Sequence, residues 1–395
     1  MTVSASDATL HALQAWGASR RIAIVHDWLV VQGGAEKVLD ALLQAFPAAD
    51  VYTLVDFLPA GQRGRLAGHR VVTSALQHWP LARRFYRHLL PWMPHAIEQF
   101  DLSDYDLVVS SSHCVAKGVI THPGQWHVCY CHTPVRYAWD MKEAYLRDAG
   151  FSGPVAWYVR RVLGRLRQWD HFTASQVDTF IANSANVSKR IAKYYGRHAT
   201  VIHPPVDLDA FTFNPEPRDD YYLAASRLVS YKRMDLIIEA FGHEGRRRLK
   251  VVGDGPERKR LEKLAAAAPN IELLGYRPDG ELQRLMARAR GFVFAAEEDF
   301  GIMPLEAQAC GTPVIAYGRG GSLETVIDEG SEATGVFFHE QTPAALLGAL
   351  ERFDSLAFSP DACLAQAQRF GIARFWQRWI DCLQLGPSDE PFSCM

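Results

Sequence analysis

The feature that most constrains this chain is an alternation that runs through it twice. Short apolar runs of strand length are followed by glycine-bearing turns and then by stretches with apolar residues at helical spacing. Arg21–Trp28 (RIAIVHDW) reads as a buried strand. Beyond Gly33 and Gly34, Val38, Leu39, Leu42, Leu43 and Phe46 mark one face of a helix. More strands are expected at Ala49–Asp56, Asp106–Ser112, Trp126–His132, Thr179–Ser184 and Thr200–Pro204. His203–Asp220 is rich in Pro and Asp and has no periodicity, after which the alternation restarts at Tyr221–Ser226. Runs beginning at Leu249 and Ile271, then GFVFAA, PVIAYG and Thr334–Phe338, extend the second series. Strands alternating with helices give parallel sheets, so the expected class is α/β with a parallel sheet in each half of the chain.

At 395 residues the chain exceeds one ordinary core. The expected division is a loose tail or short helix at 1–20, domains at 21–205 and 221–368, a linker at 206–220, a closing helix at 369–385 and a tail at 386–395. The hydrophobic share of 48% and the charged share of 22% are those of an ordinary globular protein. Up to Pro205 there are 21 Lys and Arg against 15 Asp and Glu; the remainder has 21 against 29. The first half could therefore face an anionic surface. No apolar run reaches the roughly 18 residues of a membrane span, and the first 20 residues lack the pattern of a signal peptide. Seven cysteines, an odd number, suggest reduced thiols in a cytoplasmic setting. Cys129, Cys131 and His132 do not make up a ligand set, and buried thiols are the plainer reading.

The richest stretch is Ala295–Val326, AAEEDFGIMPLEAQACGTPVIAYGRGGSLETV. A strand ending at Ala296 delivers Glu298 to the carboxyl edge of a sheet, where open α/β folds bind ligands. Pro304 suits the first turn of the next helix and puts Glu306 about one turn in. Phe300, Gly301 and Ile302 lie between the two carboxylates, and Gly301 lets bare backbone amides approach a ligand. Such a site suits a polyhydroxylated ligand. Arg227 and Lys232 stand five apart in another strand-to-helix turn and offer a fork and a point charge to phosphate oxygens. Gly33 and Gly34 open a helix as a phosphate cradle would, whereas Gly253 and Gly255 suit a packing turn near a nucleotide and are too few for a dinucleotide fingerprint. The loop Cys131–Asp140 collects His132, Arg136, Tyr137, Trp139 and Asp140 after a strand. With Asp27, these residues beyond His132 are acceptor or cleft candidates. His113 also follows a strand, and a structural role is its plainer reading.

These motifs resemble the donor-binding signature of family-four retaining glycosyltransferases of the GT-B fold, most of all bacterial mannosyltransferases that build surface polysaccharides. The resemblance runs from Arg21 to about Leu385. It implies two Rossmann-like parallel-sheet domains facing across a cleft, with the last helix crossing back onto the first. It implies that Arg227 and Lys232 neutralise the donor diphosphate, Glu298 orients the sugar, and Glu306 holds the ribose. Tyr276 would lie beside the base, and His132 would contact the sugar from the first domain. Asp299 stands where many relatives have glycine, so Glu298 could share its task. The implied activity is hexose transfer with retention from a nucleotide-sugar donor, GDP-mannose, to a saccharide acceptor linked to polyprenyl diphosphate. A UDP-sugar donor and a non-catalytic nucleotide-sugar-binding module are the alternatives. No cofactor and no essential metal are expected, since Asp104-Tyr-Asp106 and Asp207-Leu-Asp209 match Asp-x-Asp only formally, and no nucleic acid partner is expected. Two basic aromatic stretches, Pro80–Phe100 and Ala156–Phe172, could lie on the inner leaflet of the cytoplasmic membrane. That would make the protein cytoplasmic and peripherally membrane-associated.

Overall fold

A computed structural model describes residues 5–213 and 217–384. It has two units, 1–205 together with 372–395, and 206–371.

The first unit is built on seven parallel strands: β1 Ile22–His26, β2 Asp50–Thr53, β3 Val71–Thr73, β4 Leu107–Ser112, β5 Trp126–Cys131, β6 Thr179–Ala182 and β7 Thr200–Val201. Their order is β3-β2-β1-β4-β5-β6-β7. Every residue of β1 and β4 is buried, as strands covered on both faces require. The strand order turns back at β1, which pairs with β2 on one side and β4 on the other. The carboxyl ends of β1 and β4 therefore flank the crevice that this topology opens to ligands.

The second unit has six parallel strands: β8 Tyr222–Ala225, β9 Leu249–Val252, β10 Ile271–Gly275, β11 Gly291–Phe294, β12 Val314–Tyr317 and β13 Gly335–Phe338. Their order is β10-β9-β8-β11-β12-β13, so the switch lies between β8 and β11. Two parallel-sheet Rossmann-like domains bear out the expected α/β class.

Several boundaries change. Within the expected tail or short helix at 1–20, Ala5–Ala18 is a helix that buries Leu10 and Leu13 and packs on helix Ile372–Gln384. That last helix belongs to the first unit, where Trp379 stacks on Tyr130 at 6.2 Å and 13° and Trp376 Nε1 donates to Ala41 O at 3.4 Å. It starts at Ile372, because 369–371 stay with the second unit and Gly371 bridges to Val206. The expected linker is likewise part of the second unit, with Phe211 buried in its core. The expected tail at 386–395 lies outside the described residues. The basic stretch Pro80–Phe100 is not one helix but three short pieces, Ala82–Phe85, Tyr86–Trp92 and Met93–Glu98, interrupted by Pro91.

Candidate active site

At the carboxyl edge of the second sheet, β8 runs into Ser226 and Arg227, and its neighbour β11 runs into Ala296, Glu297 and Glu298. Lys232 ends a short turn, Ser230–Lys232, and its Nζ is in direct ion-pair contact with Glu298 Oε1. Their side chains keep 14% and 21% of their exposure, so the pair is open enough to meet a ligand. Arg227, five residues before Lys232 in the loop after β8, is exposed. The structure thus brings a strand-end carboxylate onto a turn lysine 66 residues away in sequence.

Backbone proximity shapes this edge. A Cβ on Gly253 would stand 1.8 Å from Ser226 O, and φ there is +141°, so the turn after β9 can approach the Arg227 loop only with glycine. That is the packing role expected of it. Gly301 adopts φ +83° and caps the helix Ile302–Ala309 without a side-chain cap on its first amides. Gly321 N donates to Glu298 O at 2.9 Å, and a Cβ on Gly320 would lie 2.3 Å from the same oxygen. The turn after β12 therefore pins the backbone that carries Glu298. Glu306 is buried, 3% exposed, on the helix Ile302–Ala309; Phe300 is buried, Ile302 half-buried and Tyr276 69% exposed. Sequence reasoning missed Arg233 and Gln341. Arg233 Nη1 donates to Gln341 Oε1 at 3.0 Å, and Gln341 Nε2 donates to Ala295 O at 2.8 Å, tying the Lys232 turn to the end of β11. Arg233 holds φ +54°, a strained conformation for a non-glycine residue that no local motif announces.

The first unit treats its switch point differently. Asp27 follows β1 and is fully buried. Its carboxylate accepts four backbone N–H bonds, from His113 and Cys114 at 2.6 and 2.9 Å and from Val115 and Ala116 at 2.6 and 2.8 Å. The cleft role expected for Asp27 gives way to a clamp on the loop after β4, because no lone pair is left facing outward. Tyr137 and Trp139 change in the same way. Tyr137 Oη meets Cys114 Sγ at 2.7 Å. Trp139 Nε1 donates to Asp170 Oδ2 at 2.7 Å while its ring stacks on Tyr194 at 4.5 Å. Asp140 pairs with Arg190 at 3.2 Å, and the Arg136 carbonyl accepts from Trp139 and Met141. Asp170 itself is a buried hub, bonded to Lys117 Nζ at 3.0 Å and to Tyr195 Oη.

His132 keeps 8% of its exposure at the end of β5. Its Nε2 meets Ser111 Oγ at 2.9 Å, and its backbone N donates to Ser112 O at 2.8 Å. Burial, reinforced by the neighbouring His113 and His26, holds its pKa well below the ordinary histidine value, so the ring is neutral. Gly33 caps the helix Gly34–Ala45 in extended backbone, and its carbonyl accepts from Lys37 N at 3.1 Å. Cys129 and Cys131 are buried, and the described residues contain no cluster that could hold a metal.

Two Rossmann-like parallel-sheet domains in one chain are the fold that glycosyltransferases of the GT-B class share. Residues 207–367 match the family described as Glycosyl transferases group 1, and residues 32–210 match Glycosyltransferase Family 4. The chain is 30% identical over 291 residues to a D-inositol 3-phosphate glycosyltransferase of Geodermatophilus obscurus, covering 66% of this chain and 61% of that protein. It is 32% identical over 183 residues to a GDP-mannose-dependent alpha-(1-6)-phosphatidylinositol monomannoside mannosyltransferase of Mycolicibacterium smegmatis, covering 39% and 47%. The matched region thus spans about three fifths of the first relative and about half of the second. In fold it is similar to Anabaena HepE in complex with UDP and glucose, with TM-score 0.66 at 19% identity over 93% and 100% of the two chains. It is also similar to sucrose-phosphate synthase of Thermosynechococcus elongatus, with TM-score 0.68 at 17% identity over 92% and 98%.

Proposed function

We propose that this glycosyltransferase moves α-mannose from GDP-mannose, with retention at the anomeric carbon and without a metal, to a lipid-linked saccharide acceptor in surface polysaccharide synthesis. The contact between Lys232 and Glu298 at the β8–β11 switch point, with Arg227 in the same loop as Lys232, carries this reading. Departure of a nucleoside diphosphate builds negative charge on its β-phosphate, and fixed cations aimed there stabilise the transition state more than the ground state. Arg227 and Lys232 take that role. Lys232 bound to Glu298 holds the cation in place before the phosphate arrives, and the carboxylate orients sugar hydroxyls. Gly253 and Tyr276 border the nucleotide, Phe300, Gly301 and Ile302 shape the sugar turn, and Glu306 holds the ribose. Gly33 and Gly34 serve the phosphates, His132 the sugar hydroxyls, and Arg136 the acceptor. Two relatives whose names include GDP-mannose support the choice of donor.

Membrane association through the first unit is part of the proposal. Helix Gly153–Thr173 exposes Val155, Trp157, Tyr158 and Phe172 together with Arg160, Arg161 and Arg165, while Ala156, Leu163 and Leu166 face inward. Trp79, Leu81, Phe85 and Trp92 are exposed near Arg83, Arg84 and Arg87. Large apolar groups beside arginines suit the interface of an anionic leaflet. No helix among the described residues is long and apolar enough to cross a membrane.

The test is release of GDP or UDP from a panel of donors presented with a lipid-linked acceptor extract, with anomer analysis of the product. GDP release from GDP-mannose with an α-linked product is expected. UDP release alone would replace the donor, and an inverted product would remove retention. Co-sedimentation with anionic liposomes should weaken when Arg83, Arg84 and Arg87 are changed to Ser; unchanged sedimentation would exclude that surface.

A further inference from the structure

Ser111 Oγ lies between two imidazoles, 3.1 Å from His26 Nδ1 and 2.9 Å from His132 Nε2. His26 and Ser111 are fully buried. A hydroxyl has one proton to give, so one ring accepts from Ser111 and the other must donate to it. The direction of the row is set at its far end, where Glu36 Oε1, on the helix Gly34–Ala45, sits 3.7 Å from His26 Nε2. Burial would raise the Glu36 carboxyl, but the His26 ring facing it, helped by a backbone amide and by His113, holds it below the usual range. An ionised carboxylate there favours a proton on His26 Nε2.

We propose that Glu36, His26 and Ser111 form a proton wire behind His132, which fixes its tautomer and stores on His26, against Glu36, a proton that His132 takes up. The inference rests on the assignment of His132 to sugar hydroxyls made above. With His26 neutral, its Nε2 carries the proton and its Nδ1 accepts from Ser111. Ser111 Oγ then accepts from His132 Nε2–H, and His132 Nδ1 is a bare acceptor. When a proton from solvent or a ligand hydroxyl binds His132 Nδ1, the Nε2 proton passes to Ser111 Oγ and the serine proton passes to His26 Nδ1. One proton has entered, His132 is again neutral but reversed, and the positive charge rests on His26.

The surroundings favour that location. His113, in the loop after β4, faces His26 with ring centroids 6.0 Å apart, and its Nδ1 lies 3.1 Å from Asp27, whose charge is already spread over four backbone amides. His132 has Tyr130 edge-on at 5.1 Å and His113 at 6.3 Å. Among the three rings, Glu36 faces only His26 at ion-pair distance.

The experiment is ring-nitrogen NMR of the full chain carrying isotope-labelled histidine, without donor or acceptor, from about pH 5 to about pH 9. His132 is expected as the Nε2–H tautomer at high pH and the Nδ1–H tautomer at low pH, with the midpoint at which His26 becomes charged. Glu36→Gln should move both midpoints down together by roughly tenfold in proton affinity. Ser111→Ala should uncouple them, and Ser111→Thr, which keeps the hydroxyl, should restore the coupling. A His132 tautomer that stays constant while His26 charges overturns the proposal, as does coupling that survives in Ser111→Ala. If Ser111→Ala does not fold, the wild type and Glu36→Gln decide. The spectra need no turnover, so a coupled switch in a protein that transfers no sugar refutes the proposed function and leaves the wire standing. In an active enzyme, the acid limb of the kcat/KM profile should shift with Glu36→Gln by the same factor.

Discussion

The two switch points share a topology and differ in what fills them. At β8–β11, the carboxylate Glu298 meets a lysine at partial exposure, with an arginine exposed in the lysine's loop. At β1–β4, the carboxylate Asp27 is fully buried and given over to four backbone amides, and the nearby polar groups are imidazoles and a serine. A carboxylate paired with a flexible lysine can exchange partners when a charged ligand arrives. One held by four amides cannot, since each bond lost would strand a buried donor. The same crevice is thus a charged binding edge in one unit and a rigid, mostly neutral platform in the other.

The largest expected effect tests the rigid side. Asp27→Ala leaves four buried N–H groups without their acceptor and should cost about 3 kcal/mol or more of stability, given about 1–3 kcal/mol for each stranded group and partial relaxation. Urea unfolding followed by circular dichroism reads this; a loss below about 1 kcal/mol would show that the loop 113–116 holds itself. Glu298→Gln and Lys232→Ala test the open side. Each should reduce kcat/KM by about 10²-fold, equivalent to about 2.7 kcal/mol, with little change in the unfolding midpoint. The reverse pattern, a lost fold with retained rate, would exchange the roles of the two edges.

Much of this contrast could be read from sequence, and the remainder could not for a physical reason. The strands were legible because buried parallel strands are continuous apolar runs, and the meeting of Lys232 with Glu298 was half legible because each charge follows such a run. The edge strand Val71–Thr73, half-buried and three residues long, has no such signature. Asp27 and Trp139 were placed in the cleft because a polar group at a strand end looks the same whether it faces solvent or backbone amides. The Ser111–His26–Glu36 row joins residues 85 and 10 positions apart, and only the strand register brings it together. Arg233 and Gln341 were missed for the same cause, being 108 residues apart.

The neutral platform should also respond to acid. Burial, with Lys117 adding to it, pushes His127 down to about 3, and burial lowers His113 and His132 as well. A histidine depressed in the folded state binds its proton first when unfolded, so stability is full above about pH 6.5 and falls as pH drops towards the folded value. For His127 the slope is about 1.4 kcal/mol per pH unit between about 6.5 and about 3. Urea midpoints at about pH 7.5 and about pH 5.5 should show this loss, and His127→Gln, which keeps a partner for Ser110, should flatten it; an equal slope in the variant would assign the acid sensitivity elsewhere.

The smallest effect belongs to the pair that looks most like those of the open edge. Asp140 and Arg190 meet at 3.2 Å, but with Asp140 30% exposed, solvent screens their attraction. Asp140→Asn should therefore change stability by less than about 1 kcal/mol, and by less still at high salt. Lys232 and Glu298 are as close in kind, yet their importance is expected in the rate and not in the fold. Measuring both variants in the same urea and transfer assays separates the two cases: if Asp140→Asn also lowers kcat/KM by about 10²-fold, then the loop Cys131–Asp140 takes part in binding, and the first unit is less inert at its edge than its buried carboxylate implies.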